Sequence, residues 1–439
     1  MTFTTGLSGL SAAQNMLSVT SNNLANAQTA GFKQSRSEFQ DVYSTTVAGV
    51  AKTTPGAGGK VGNVAQQFTQ GNLNFTENSL DLAVSGEGFF VLGLNVNSPN
   101  ARSFTRDGQF HVDDNGYVVN NTGNVLMAYK PNDTTNAAAG FSTGLMNPLR
   151  ITTGQSQPKA TSSATTALNL NSSLVANGVA GSTAPVWNAA SPTTTADYQT
   201  SVTVYDSQGG SHTLSSYYKK QAAPGNTWNV YYAFDGATPA NNMGQLTFNS
   251  SGALTTVTST NANVTATTTG LTITAAGIPA FTGGATLGSA TNANSLAIDF
   301  AGSTQYGTAS SLNTLSQDGY ASGNLIGVST DEHGVVSAKY SNGASTILGE
   351  VALARFQNNQ GLTKLGDSRW AENTSSGSAV YGEAGVGDFG VIHAGALEAS
   401  NVDMATQLVQ LIVAQQMYQA NTQSIQTQNQ IMQSVLNVR

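Results

Sequence analysis

The chain has 439 residues and a formal net charge of −7, and only 9% of its side chains are charged, against about 25% in an average globular protein. It contains no cysteine, which excludes disulfide bonds and thiolate metal sites. The charge balance argues against nucleic acid as a partner. No apolar run approaches the ~20 residues that a membrane span needs, so no membrane insertion is expected. The N-terminus lacks the features of a cleavable signal peptide.

Residues 1–30 carry the pattern of an uncharged amphipathic helix. No charged side chain occurs from Thr2 to Phe32. Apolar residues recur in steps of three and four once Gln14 and Ser21 fill the gaps, which predicts one apolar helix face. These apolar positions are Phe3, Leu7, Leu10, Leu17 and Leu24. Gly31 is a suitable stop for this helix.

Residues 397–439 repeat the pattern over a longer helix, and no charged side chain lies between Met404 and Val438. The apolar positions are Met404, Leu408, Leu411, Tyr418, Ile425, Met432 and Leu436. A surface helix or an ordinary coiled coil would carry Glu and Lys on its outer positions. Two neutral helices at opposite chain ends therefore predict a coiled-coil-like module that packs against copies of itself. The alternative is a C-terminal helix that packs only on its own domain.

Between the terminal segments the pattern is that of a many-hairpin β protein, so the predicted fold class is mainly β with α-helical termini. Turn sequences such as Asp113-Asp114-Asn115-Gly116 separate short apolar strands, and similar turns are predicted at 206–210, 249–252 and 331–334. Residues 31–70 are predicted to be a linker, because their centre is rich in Gly, Thr and Ala. Residues 71–165 and 317–396 are predicted to form a discontinuous inner β domain, with a second, outer β domain inserted at 166–316.

Chemical motifs are sparse. The four histidines, His111, His212, His333 and His393, share no metal-ligand spacing. The chain has no G-x-S-x-G motif, and its lack of cysteine excludes thiol nucleophiles. We therefore predict no catalytic, cofactor-binding or metal site, and no enzyme activity.

An aromatic cluster leaves one rival function open. Its members are Tyr217, Tyr218, Trp228, Tyr231 and Tyr232. They could form the sugar platform of a secreted β-rich carbohydrate-binding protein. Alternating core and surface positions of a β-sheet explain the same spacing.

Three motifs together resemble the signatures of the bacterial flagellar axial proteins, the family of rod, hook and hook-associated proteins. The first contains Asn22, Asn23, Leu24, Asn26, Gly31 and Phe32, the second contains Gly86, Gly88, Phe89 and Phe90, and the third contains Leu397, Glu398, Asn401, Val402 and Asp403. Within this family the resemblance is strongest to the hook proteins, because residues 203–209 also resemble their outer domain.

The resemblance implies a structural subunit that self-polymerises into the flagellar hook, the flexible tubular joint between the motor or rod and the filament. It further implies export by the flagellar type III apparatus without a cleaved signal, and an extracellular place in the hook and basal body. The implied partners are other copies of the chain, the distal rod protein, the hook cap protein and the hook–filament junction protein. The alternative within the family is a distal rod or hook-associated protein. The apolar positions of both terminal helices are the predicted subunit interface.

Overall fold

The computed structural model describes residues 2–42, 58–152, 154–176, 179, 182–222, 225–239, 242–288 and 294–437. The chain divides into two compact units. Unit 1 comprises Met1–Thr153, Ile326–Lys339 and Ser345–Arg439, and unit 2 comprises Gly154–Leu325 and Tyr340–Ala344. The predicted insertion at 166–316 lies within unit 2, and both terminal helices group with the β-strands of unit 1. The finer domain boundaries stay a prediction.

Long helices occupy both ends of the chain, as predicted. They are α1 (Thr2–Ala25) and, at the C-terminus, a 34-residue helix over Met404–Asn437. The two helices pack side by side and antiparallel, since Gly6 meets Ile425 near one end and Asn23 contacts Gln407 near the other. Neither helix contains proline or a charged side chain within these bounds.

A two-stranded ribbon follows α1, inside the segment predicted to be a linker. It pairs β1 (Ser35–Asp41) with β2 (Gly59–Gln66) antiparallel, with a register shift between Glu38 and Phe39. The ribbon lies against α1, where the Ser37 hydroxyl donates a hydrogen bond of 2.8 Å to the side-chain oxygen of Asn15. The Gly- and Thr-rich centre of the predicted linker, residues 43–57, lies outside the described residues.

The first part of the β body of unit 1 is a series of short strands. They are β3 (Leu73–Phe75), β4 (Leu82–Ser85), β5 (Phe89–Gly93), β6 (Arg102–Thr105), β7 (Phe110–Val112), β8 (Val118–Asn120), β9 (Val125–Pro131) and β10 (Phe141–Pro148). A 3-10 turn at Ala137–Ala139 lies between the last two.

Unit 2 contains two sheets on a common apolar core. Its strands are β11 (Ser163–Asn171), β12 (Tyr198–Tyr205), β13 (Ser211–Lys220), β14 (Thr227–Phe234), β15 (Gly244–Phe248), β16 (Leu254–Thr258), β17 (Val264–Ala266), β18 (Gly270–Ile273), β19 (Leu296–Asp299), β20 (Thr304–Tyr306) and β21 (Ser311–Gln317). A short helix, α2 (Pro192–Thr195), precedes β12, and 3-10 turns lie at Ala275–Gly277 and Thr282–Gly284.

One sheet of unit 2 is an antiparallel meander in the order β12-β13-β14-β15-β16. The other has the order β17-β18-β19-β11-β20, with β21 also paired to β11. Side chains of both sheets meet in one core, in which Leu168, Tyr218, Trp228 and Leu271 are almost completely buried.

The chain then returns to unit 1 and completes its large sheet. The returning strands are β22 (Leu325–Thr330), β23 (Val335–Tyr340), β24 (Ser345–Val351), β25 (Leu353–Arg355), β26 (Thr363–Gly366), β27 (Arg369–Ala371), β28 (Val380–Gly382), β29 (Val391–Ala394) and β30 (Ala396–Glu398), with a 3-10 turn at Asn359–Gly361. After β30 the chain enters the C-terminal helix, hereafter α3. The main strand order is β22-β23-β24-β9-β5-β6-β27-β26. Strands from before and after unit 2 therefore share one sheet, with β9, β5 and β6 between two groups of returning strands. This is the discontinuous organisation expected from the sequence.

Two small pairings bring the C-terminal segment to the start of the β body. Strand β29 pairs antiparallel with β4, and β30 pairs antiparallel with β3. The core of the unit is aromatic, with Phe89 in edge-to-face contact with Phe68, Phe356 and Trp370. Phe89 belongs to the second sequence motif, so these core contacts account for its presence in that motif.

The predicted hairpin turns are confirmed, and they share one mechanism. In each turn, a side-chain oxygen of the first residue accepts hydrogen bonds from the backbone N–H groups two and four residues further along the chain. These hydrogen bonds satisfy the donors of the tight turn. The four residues that act in this way are Asp113, Asp206, Asn249 and Asp331.

Candidate assembly site

A buried ion pair joins the two ends of the chain at the foot of the terminal helices. The Lys33 ammonium lies 2.6 Å from Glu398 Oε1, and both side chains are essentially excluded from solvent, at 1% and 0% exposure. Lys33 also donates to the backbone carbonyl of Thr69 at 2.8 Å, and the same Glu398 oxygen accepts the Gly71 N–H at 2.8 Å. Each buried charge is thus both paired and hydrogen-bonded, as a stable buried pair requires.

A second cation, Arg106, reaches the other oxygen of Glu398. Its Nη1 lies 3.3 Å from Glu398 Oε2, and its guanidinium also donates to the carbonyls of Val84 and Gly86. The guanidinium sits 5.3 Å from the ring centroid of Phe89. One carboxylate therefore serves two buried cations, and backbone carbonyl dipoles supply the remaining negative potential.

Burial sets the protonation balance of this cluster. Desolvation lowers the pKa of Lys33, and the negative charge of Glu398 opposes that shift. The pKa of Arg106 is lowered for the same reason and is opposed by the same carboxylate. Removal of Glu398 would leave both cations buried without a counterion.

Two motif asparagines act as clamps between chain segments. The side-chain amide of Asn23 donates to the carbonyl of Ser35 at 2.8 Å and accepts the Ser35 N–H at 2.9 Å, as a strand partner would. It also donates to Gln407 Oε1 at 3.1 Å, which ties α1 to α3. Asn401 accepts the Gln34 N–H at 2.8 Å and donates to the carbonyl of Gln67 at 2.7 Å. The sequence therefore uses asparagine where backbone groups need a side-chain partner.

Gly31 is required where the N-terminal segment crosses the β body. Its φ is +65°, and a Cβ at this position would lie 2.4 Å from the backbone nitrogen of Asp107. Its N–H donates to the carbonyl of Glu398 at 2.8 Å. Only glycine meets both demands, because any side chain would clash with backbone and strain φ.

The other motif residues have distinct roles. Phe32, Phe89 and Phe90 are buried, while Gly86 and Gly88 adopt positive φ at the turn before β5. Leu397 lies in β30, Val402 is half-buried, and Leu24 is half-buried near the end of α1.

The motif residue Asp403 caps α3. Its carboxylate accepts the Ala405 N–H at 3.0 Å and the Thr406 hydroxyl at 2.7 Å. These hydrogen bonds, first of all the one from the Thr406 side chain, lower the pKa of Asp403. The helix therefore begins at a fixed residue directly after the ion-pair cluster.

Asn22 and Asn26 line an open cleft of about 420 Å³ on unit 1. Phe32 and Lys364 face the same cleft, and the Lys364 ammonium lies 5.4 Å from the Phe32 ring centroid. Asn26 also donates to the carbonyl of Asn22 at 2.9 Å, one turn back in α1.

Within one chain, α1 and α3 meet through small and polar side chains. A Cβ on Gly6 would lie 3.1 Å from Ile425 Cγ1, and a Cβ on Gly9 would lie 2.7 Å from Asn421 Oδ1. On α3 the contact face follows seven-residue steps through Gln407, Ala414 and Asn421, and Ala414 is completely buried. We call this contact the packing seam. Its glycines allow the helix backbones to approach closely.

The predicted interface residues are distributed unevenly around this seam. Leu10, Leu17, Leu24, Leu411 and Ile425 are half-buried. The remaining predicted positions are exposed in the single chain, namely Phe3, Leu7, Met404, Leu408, Tyr418, Met432 and Leu436. Further apolar residues of α3 are exposed beside them, at Val409, Ile412, Val413, Met417 and Ile431. We call the exposed set the apolar stripe. It has no cover within the described residues.

Sequence reasoning missed the partners inside the cluster. Arg106 follows β6 and points its guanidinium inward, and no periodic pattern in the sequence indicates this. Lys33 is a single charge outside any repeating pattern, and Gly6 and Gly9 do not count as apolar positions in the helix pattern. The low number of charged residues could have indicated this ion pair. In a chain with so few charges, Lys33 beside the first motif and Glu398 inside the third are candidates for a pair.

The aromatic cluster offers no open sugar platform. Tyr218, Trp228 and Tyr232 lie in the core of unit 2. Tyr217 and Tyr231 face the other side and are covered by Trp187, whose ring stacks on Tyr231 with centroids 3.9 Å apart. The alternation of core and face therefore explains these residues.

Two further properties concern the described part of the chain. It holds no group of three or more His, Asp or Glu side chains arranged to bind a metal ion. None of its helices has the length and apolar character to span a bilayer.

Family comparisons agree with this architecture. Residues 3–33 match the family "Flagella basal body rod protein", and residues 83–162 match "Flagellar hook protein FlgE/F/G D1 domain". Residues 169–320 match "Flagellar basal body protein FlaE D2 domain", and residues 393–438 match "Flagellar basal body rod FlgEFG protein C-terminal". Fold and matches together define an axial structural protein of the bacterial flagellum.

Full-length relatives narrow the class. The chain is 35% identical to the flagellar hook protein FlgE of Salmonella typhimurium and 36% identical to that of Escherichia coli K12, over the whole of this chain and the whole of each relative. It therefore belongs to the flagellar hook protein family. The crystal structure of Helicobacter pylori hook protein FlgE2 shares the fold, with a TM-score of 0.50 and 17% identity over 74% of this chain and 100% of that one. The matches do not favour the rod, hook-associated or carbohydrate-binding alternatives.

Proposed function

We propose that this chain is the structural subunit that polymerises with copies of itself into the flagellar hook, through the apolar stripe of its terminal helices. The observation that carries the proposal is the position of that stripe. The packing seam uses the small residues of α1 and α3, so the large apolar residues are left on the outside. An exposed patch of this kind marks a protein contact.

Burial of the apolar stripe would favour assembly. Full burial of one Leu, Ile or Met side chain contributes about 1.5–3 kcal/mol, and a half-exposed one contributes roughly half of that. Several such residues on each subunit, each covered by neighbours, would together oppose the entropy that assembly costs. The helices would form the inner tube of the polymer, and the β units would surround it.

The polar face of α3 suits the wall of a channel. From Gln419 to Gln430 its exposed positions are Gln, Asn, Ser, Thr and one Ala, with no charge. Fixed charges on such a wall would attract or repel an unfolded chain that passes through it. We infer that subunits travel through the tube by the flagellar type III export route and assemble outside the cell.

The partners follow from the place of a hook in the flagellum. We propose contacts with the distal rod protein at one end, with the hook cap protein during growth, and with the hook–filament junction protein at the other end. The family is structural, and we infer no catalytic activity, cofactor or nucleic-acid partner for this chain.

Substitution of Leu408 by Glu tests the proposal. Leu408 is 47% exposed and lies on the outer side of α3, so the change should leave the monomer folded. In a polymer the same carboxylate would be buried without a partner, at a cost of several kcal/mol. We expect Leu408→Glu to abolish assembly, measured by sedimentation and electron microscopy, while the thermal unfolding of the monomer stays unchanged.

Leu408→Met is the matched control, because it keeps an apolar side chain of similar volume and should assemble normally. Leu411→Glu would be a less specific test, because Leu411 is half-buried in the same heptad register as Ile425. Normal polymers from Leu408→Glu would refute the proposed interface.

A further inference from the structure

The helix α3 continues beyond the point where α1 begins. Gly6 lies opposite Ile425 and Gly9 opposite Asn421, so the first described residue of α1 lies opposite a position near Asn429. About eight residues of α3 remain beyond that point, or roughly 12 Å of helix at 1.5 Å per residue. We call residues 430–437 the overhang.

The overhang extends the side of α3 that carries Ile425, and nothing covers it within the described residues. Met432 follows Ile425 by seven residues, so it lies on the same helix face as the Ile425 side chain that meets Gly6. Met432 is 55% exposed and Leu436 is 72% exposed, and Ile431 beside them is also exposed. An apolar contact face thus extends past the end of its intramolecular partner.

A second exposed apolar zone lies at the opposite end of the same helix. Met404, Leu408 and Ile412 form a row in steps of four, with Val409 beside it, and all four are exposed. We call these four residues the base zone. Exposed apolar residues continue beyond the base zone at Val413, Met417 and Tyr418. From Gln419 to Gln430 the exposed positions are polar except for Ala420. The helix therefore carries two apolar patches separated by a polar stretch: a longer one from Met404 to Tyr418, which includes the base zone, and the overhang.

We propose that the overhang of one copy packs on the base zone of a second copy, head to tail along the helix axis. This inference rests on the proposed function and specifies its contact. The occupant is a second copy because the overhang is continuous with the helix face that carries Ile425, because both patches are apolar and uncharged, and because they lie at opposite ends of one helix. Contact between two different patches of identical molecules does not close on itself, so it generates an open filament.

Cysteine pairs test this arrangement, because the natural chain has no cysteine to interfere. The double variant Leu408→Cys, Met432→Cys is assembled under reducing conditions and then oxidised. Head-to-tail contact predicts a ladder of covalent multimers on a non-reducing gel. After assembly and oxidation, each single variant should run as a monomer on the non-reducing gel. A mixed polymer of the two single variants should give covalent dimers and no larger products.

The matched control is Leu408→Cys, Ser424→Cys, which places the second thiol in the polar stretch of α3 and should give no ladder. Covalent dimers from Leu408→Cys alone would show that base zones meet each other and would overturn the proposal. A polymer of the first double variant that yields no ladder would also overturn it, while leaving the proposed function intact. Failure of the unsubstituted chain to polymerise would instead remove the proposed function itself.

A pair of opposite charges tests the same contact independently, should the cysteine variants not assemble. Leu408→Lys and Met432→Glu should each prevent assembly alone, and the double substitution should restore it, since the two charges would then face each other. A double variant that assembles no better than the single ones would contradict the contact.

Discussion

Unit 2 and the pair of terminal helices place their apolar side chains in opposite ways. In unit 2, Tyr218, Trp228 and Phe248 are fully buried in a core that two sheets of the same chain enclose. In the helix pair, Leu408 and Met432 remain exposed while glycines and Ala414 fill the contact. One chain is enough to complete the core of unit 2, whereas the helices require further protein to cover their apolar surface.

The placement of charge follows the same division. Unit 2 buries Lys219 against Asp197 at 2.8 Å, and the foot of the helices buries Lys33 against Glu398. The helices themselves carry no charge. A buried ion pair needs fixed geometry. A single chain fixes that geometry only when both partners belong to the same chain. The comparison teaches that charges are used in closed contacts and omitted from contacts that other copies complete.

The largest expected effect comes from breaking the closed contact below the helices. Glu398→Gln removes the counterion of both Lys33 and Arg106, which stay buried. We expect unit 1 to lose about 3–5 kcal/mol in free energy of unfolding, the usual cost of breaking a buried pair. Hydrogen exchange in the full chain should show this loss in unit 1 and none in unit 2.

The surface pair Arg36–Glu38 provides the control for that experiment. Its nitrogen–oxygen distance is similar, at 2.8 Å, but the side chains are 62% and 42% exposed. Glu38→Gln should therefore change stability by less than about 1 kcal/mol. Equal effects of Glu38→Gln and Glu398→Gln would contradict the assignment of the cluster.

A smaller effect of opposite sign is expected at Glu350 in unit 1. This carboxyl is buried, and its Oε2 has no hydrogen-bond partner among the described residues. Desolvation, aided by the negative charges of Glu383 and Asp331, raises the pKa of Glu350 to about 8. Tyr129 lies opposite it on β9. The neutral form is therefore the one that the fold accommodates.

The direction of the pH dependence follows from that shift. A carboxyl whose folded pKa is raised favours the folded state fully below its ordinary value, and this contribution is lost as pH rises through about 8. Glu350→Gln keeps the shape and removes the charge. Above pH 8 we expect it to stabilise unit 1 by about 1–3 kcal/mol and to flatten the pH dependence of its unfolding. A decrease in stability at that pH would refute this account.

The smallest effect is expected in unit 2, at His212. Its Nδ1 lies 2.7 Å from Asp235 and its Nε2 lies 3.2 Å from Asp206, while its ring stacks on Phe281. Carboxylates only accept hydrogen bonds, so the doubly protonated ring alone satisfies both. Burial by itself lowers the pKa of His212, but the hydrogen bonds to Asp235 and Asp206 outweigh it and raise the pKa.

The stabilisation from His212 is complete below about pH 6.5, its ordinary pKa, and is lost as pH rises through the raised folded value. His212→Gln should reduce the stability of unit 2 at pH 6 by about 1 kcal/mol or less, because Asp235 is half exposed. At pH 9 the variant and the natural chain should be nearly equal. Proton NMR titration of the His212 ring checks the direction of the pKa shift directly.

Local rules were sufficient to predict the elements whose physics is local. The four Asx-type turns, including those at Asp113 and Asp331, follow from side-chain hydrogen bonds within five residues. The terminal helices follow from the helical spacing of their apolar residues. For Trp228 the sequence left two alternatives, a sugar platform or a core position in an alternating strand, and the core position is correct.

The ion-pair cluster and the packing seam were beyond such rules. Lys33 and Glu398 are 365 positions apart. Non-local contacts bring them together, among them the pairing of β3 with β30 and the hydrogen bond from the Gly31 N–H to the Glu398 carbonyl. The packing seam was hidden for a different reason. Gly6 and Gly9 do not register in an apolar period, so the larger leucines beside them were taken as the contact.

The separation of Lys33 from Glu398 along the chain also limits when their buried ion pair can form. Closing a loop of this length is slow compared with local folding, and it cannot begin before the last tenth of the polypeptide is present. A partly synthesised molecule therefore holds Lys33 without its counterion and α1 without α3. Such a molecule lacks the helix pair that the proposed polymer contact requires, so we expect only chains that include α3 to assemble.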